Sequence, residues 1–164
     1  MNAKPVVFSL EKLFSGFVIS LATLVTFLNA GMAVDEKKPL TDEEKSLLIK
    51  SVFQPVARTI DLPTGVRTIL GLGIQPKSMA EPNESFTVGC VGDANRPRAR
   101  FLFGGKSSER CLVFFEKGGY AHYYVLQFFT ISGNKATMIH QWTLQKAYKS
   151  SDEIKSALDK NELR

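Results

Sequence analysis

Cysteine, histidine and tryptophan are all scarce in this chain, with two, two and one in 164 residues. Cys90 and Cys111 stand far outside the C-x-x-C spacing of a redox pair. Neither has a second Cys or His at metal-ligand spacing, so no metal is expected. No G-x-S-x-G, no H-E-x-x-H and no paired carboxylates at suggestive spacing occur. The stretch Phe103-Gly104-Gly105-Lys106-Ser107 ends like a phosphate loop, but the first glycine of that pattern would fall on Arg100. No cofactor is expected, and nothing commits the chain to an enzyme. A charge excess is missing too: 21 basic and 16 acidic residues leave +5. That favours encounters with anionic surfaces and does not call for nucleic acid. Internal repeats and low-complexity stretches are absent.

What is present begins with a leader. Residues 13–28 form an apolar run without a charge, preceded by Lys4 and Lys12 and followed by Gly31 and Ala33 at the positions a signal peptidase reads. This predicts a signal peptide over 1–33, cleaved after Ala33. Residues 13–34 approach the ~20 apolar residues of a membrane span, so an uncleaved anchor, with the domain facing outside the cytoplasm, is the alternative. The expected location is the periplasm or beyond, with membrane contact only through that segment. Two cysteines in an exported chain suit one disulfide, Cys90–Cys111, worth roughly 3 kcal/mol in the loop-entropy picture.

Residues 34–40 read as a flexible lead-in and 41–164 as one disulfide-stapled α+β domain. Thr41 and Glu44 make a capping box. Leu47, Leu48, Val52 and Phe53 then recur at helical spacing up to Pro55. The segment 66–74 suggests a strand, and 75–85 a loop. From Phe86 the pattern turns to period two, predicting strands near 86–92, 98–104, 109–116, 120–131 and 136–146 with glycine and asparagine turns between them. Such short connections require an antiparallel meander. A short closing helix follows, capped by Ser150 or Ser151. The fold class is therefore α+β, with an N-terminal and a short C-terminal helix on a curved antiparallel sheet of about five strands.

Both histidines, the tryptophan and all four tyrosines lie within 118–148. A two-residue turn at Gly133-Asn134 sets Phe129 opposite Met138, Gln127 opposite His140, Val125 opposite Trp142 and Tyr123 opposite Leu144. These share a core face, with Leu112 and Phe114 expected to join it. His140 and Gln127 become the candidate catalytic pair, should the protein be a small extracytoplasmic hydrolase; the plainer expectation is a buried neutral histidine held by the amide. His122, with Tyr120 and Tyr124, falls on the other face, and the preceding hairpin is expected to add Cys111, Val113 and Phe115 there in any register without a bulge. The loop over 61–85, pinned by the disulfide, is expected to cover part of that face. The two histidines cannot share an ion: even on one face they would stand ~13 Å apart.

Arg96, Arg98 and Arg100 alternate, so an extended chain would project three guanidinium groups to one side. Arginine forks suit carboxylates and phosphates; they also protect a strand edge from aggregation. The leading expectation is an exported binding module of inhibitor, immunity or envelope-accessory type. Its contacts would come from Arg96, Arg98, Arg100, Tyr120, His122 and Tyr124, and its partner would be a protein or an anionic envelope component.

Overall fold

The computed structural model describes residues 40–74, 77–89 and 95–163. The expected leader and Cys90 lie outside them. Among the described residues no helix is long and apolar enough to cross a membrane.

Helix α1 (Asp42–Lys50) starts as the capping box requires. Thr41 Oγ1 accepts from the Glu44 N–H at 3.2 Å, and the Glu44 carboxylate accepts from the Thr41 N–H at 2.9 Å. Two backbone donors with no helical partner are thereby satisfied. The helix stops at Ser51, before the apolar stripe is used up. Leu48 is fully buried, whereas Val52 is 85% exposed. Pro55 then sits within β1 (Gln54–Val56), a short edge strand where a missing N–H is tolerated.

After a 3-10 turn (Thr59–Asp61) comes helix α2 (Thr64–Ile69), where the sequence suggested a strand. Two features exclude a strand here. Gly71 and Gly73 hold φ of 64° and 90°, which ends the helix and cannot lie in a sheet. Gly65 packs directly on the backbone of the last hairpin: a Cβ there would stand 2.5 Å from Ala136 N.

Four long strands complete the sheet: β2 (Ala99–Lys106), β3 (Arg110–Lys117), β4 (Tyr123–Ser132) and β5 (Lys135–Leu144). All neighbours are antiparallel, in the order β1-β2-β3-β4-β5, the meander the spacing predicted. Residues 86–89 are not a strand; they hold to the sheet through Thr87 N–H to Pro97 O and Gly119 N–H to Val88 O. Helix α3 (Ser151–Asp159) closes the chain, with Ser150 as its cap.

Both faces of the sheet are covered. On one, Phe101, Cys111, Val113, Phe115, Val125 and Phe129 pack under Leu62, Val66 and Met79 of the segment that contains α2. On the other, Leu112, Phe114, Leu126 and Phe128 pack under Leu48 of α1 and Ile154, Ala157 and Leu158 of α3. Of the segment expected as a cover, Leu62, Val66, Ile69, Leu70, Leu72 and Met79 do pack on the sheet, but over the face of Val125 and Phe129. The sequence had assigned β3 to the opposite faces. The cause is the β3–β4 connection, which spans Gly118–His122 and pairs Lys117 with Tyr123. A two-residue turn would have paired Lys117 with Tyr120, and the change of parity exchanges the two sides of β3 relative to β4.

A carboxylate-centred cluster at one end of the sheet

The β4–β5 turn places Gly133 at φ 59° in its first central position, as a type II′ hairpin requires. The predicted register then holds from Ser132↔Lys135 to Phe129↔Met138. There a β-bulge at Ile139 shifts it by one: His140 faces Phe128, and Gln127 faces Gln141. Trp142 likewise faces Leu126, and Leu144 faces Tyr124. The candidate catalytic pair is therefore split across the sheet. Gln127 donates from Nε2 to Gln141 Oε1 at 2.6 Å on the α2 side. The His140 ring meets Trp142 edge-on at 4.3 Å on the helix α1/α3 side. Gln127 Oε1 is buried without a hydrogen-bond partner.

The expected disulfide is corrected as well. Cys111 is a free thiol, fully buried in the α2-side core. Burial pushes its pKa up to about 12, against a smaller opposing pull from Lys106. The chain before Cys90 is held at the far end of β3, where Val88 O accepts from Gly119 N–H. Cys90 itself lies outside the described residues.

At this far end the structure gathers several of the residues singled out from sequence around one that was not. Strands β2, β3 and β4 set Arg100, Glu116 and Tyr124 side by side in one row. Glu116 is only 5% exposed. Its Oε1 accepts from Arg100 Nε at 2.6 Å and lies 2.6 Å from Arg100 Nη2. Its Oε2 lies 2.8 Å from His122 Nε2. A carboxylate can only accept, so Nε2 carries a proton and Nδ1 is the nitrogen left for other contacts. The Arg100 guanidinium lies over the Phe86 ring, 4.7 Å from its centroid. His122 meets Tyr124 edge-on at 5.2 Å, and Tyr124 stacks on Phe114 at 5.8 Å, which ties the cluster to the core.

The remaining candidates sit around this cluster in different ways. Tyr120 is 98% exposed in the Gly118–His122 loop. Arg98 is exposed, and its carbonyl accepts from Gly118 N–H at 2.8 Å. Arg96 is exposed in the turn before β2. Since β2 begins at Ala99, Arg100 is the one of the three arginines that lies within a strand. Gly118 is required where it is: a Cβ would stand 2.2 Å from Thr87 O, so the segment carrying Phe86 could not approach.

Glu116 was missed, although a signal existed. It is the one acid in the apolar run Cys111–Phe115 and its extension, at a position that alternates with Leu112 and Phe114. A charge facing inward needs a partner, and the arginine-rich strand before it could supply one. Among the described residues no group of three or more His, Cys, Asp or Glu could hold a metal ion. Comparison with protein-family models, with curated proteins and with solved structures found no match for the chain.

Proposed function

We propose that this protein is an exported binding module that recognises a protein or an anionic envelope component through the end of the sheet formed by Phe86, Arg98, Arg100, Tyr120, His122 and Tyr124. The observation that carries this reading is the setting of Arg100. Its guanidinium is held by a buried carboxylate on one side and an aromatic ring on the other, next to a loop that presents Tyr120 to solvent. Tyrosine and arginine are the residue types that concentrate binding energy at interfaces. A side chain already fixed in place gives up less entropy when a partner arrives. Arg98, Arg100 and Lys117 outnumber Glu116 here, which suits a partner with negative charge.

The leader supports export: an apolar run between lysines and small residues is what the secretory machinery reads. A hydrolase centred on His140 has no support from the register, which takes Gln127 to the other face.

A photo-crosslinking side chain at Tyr120, with one at Val52 as an exposed control, tests the reading in the native compartment. The expected result is a discrete adduct from position 120 and none from position 52. Arg98→Glu together with Arg100→Glu should abolish it, and raising the salt concentration should weaken it. Identical labelling from both positions, or none from either, would remove the surface from consideration.

A further inference from the structure

A second feature lies apart from the ion cluster. Strand β1 pairs only with Gly104–Lys106 of β2. Farther along the same edge Ala80 takes up Arg100 in an isolated parallel bridge. Between these two covers β2 bulges near Leu102. The result is a groove of about 740 Å³, with Phe53, Val56, Leu102 and Phe103 among its apolar walls. That volume falls in the range of small-molecule sites, ~300–1,000 Å³.

The charges on its rim are unequally matched. Glu81 accepts from the Thr59 N–H at 3.1 Å and from the Thr59 hydroxyl. Glu84 is paired with Lys77 and also accepts from the Glu81 N–H at 2.9 Å. Asp152 faces Lys155 at 3.6 Å. The two rim cations are exposed, and the Arg58 guanidinium and the Lys149 ammonium have no partner among the described residues. Each acid has a hydrogen-bond or ion-pair partner, Glu81 through the neutral Thr59, and the two cations have none among the described residues.

We infer that this groove binds a small amphiphilic carboxylate, its apolar body against Phe53, Val56, Leu102 and Phe103 and its anionic end at Arg58 and Lys149. A bare anion would leave the apolar walls wet, and an amphiphilic cation would meet unpaired positive charge. An added peptide strand finds little purchase, because the uncovered edge between Ala80 and β1 is about two residues, or ~7 Å, long.

The test is titration of the purified full chain with decanoate below its micelle concentration, followed by backbone resonance shifts, with decanol and decyltrimethylammonium as probes of the same length. Expected is saturable binding of decanoate, with shifts centred on Val56, Leu102 and Phe103. The resonance map separates this site from any contact with the apolar segment 13–28. Arg58→Glu and Lys149→Glu should each weaken binding about tenfold, and Ala57→Trp, at the groove wall, should block it. Unchanged far-ultraviolet spectra and urea midpoints establish that the variants fold. Equal binding of all three probes, shifts elsewhere, no decanoate binding, or charge-reversed variants with undiminished affinity would each overturn the inference.

Discussion

Replacing Glu116 by glutamine removes one charge and little volume from the row Arg100–Glu116–Tyr124. The side chain is 6% exposed and receives two contacts from Arg100 and one from His122. The amide keeps one acceptor oxygen, but its NH₂ must face a donor on one side. Breaking a fully buried ion pair by removing one partner costs ~3–5 kcal/mol. Here the Arg100 and His122 side chains retain 31% and 38% exposure, so both recover hydration. The expected loss is therefore smaller, ~2 kcal/mol. For a domain of this size that corresponds to a fall in Tm of ~8 °C. Urea unfolding followed by the fluorescence of Trp142 measures it directly. A double-mutant cycle with Arg100→Ala should return a coupling of ~1 kcal/mol or more. A loss under ~0.5 kcal/mol with no coupling would show that the carboxylate does not organise the site.

Two further outcomes follow from the buried groups. The raised Cys111 pKa keeps the thiol protonated, so alkylation of the tryptic peptide that begins at Cys111 should be negligible in native protein at pH 8 and complete after denaturation; rapid native labelling would contradict its burial. Because the folded pKa is above the unfolded one, this thiol contributes stability that is present below pH ~9 and is lost as pH rises toward about 12. Gln127→Met should leave stability within ~1 kcal/mol of the parent, on the favourable side. It trades one hydrogen bond to Gln141 for the removal of a buried unpaired oxygen. A urea-unfolding loss above ~2 kcal/mol would mean that the oxygen is satisfied in solution.

The legible parts of the fold are those governed by residues close in sequence. The capping box of Thr41 and Glu44, the turn at Gly133 and the cap at Ser150 each depend on a few neighbouring groups, and each forms. The register of the last hairpin held as far as Phe129↔Met138 because the turn fixes it. It failed at Ile139, where a bulge serves packing on the α1/α3 side. Nothing in Met138-Ile139-His140 announces that bulge. In the site, Arg100, Tyr120, His122 and Tyr124 were visible as residue types worth suspicion. Their organiser, Glu116, is recognisable only once β2 and β4 flank it.

The sequence by itself determined that the chain forms an antiparallel meander with a capped helix at either end, because period-two alternation and turn residues act locally. It also determined which residues share a side within any one strand. Only the tertiary structure decided which sides coincide between strands. Each added residue in a loop or bulge reverses the match, and whether that residue is accommodated depends on contacts such as Gly118 against Thr87 and Gly65 against Ala136, made between segments distant in the chain.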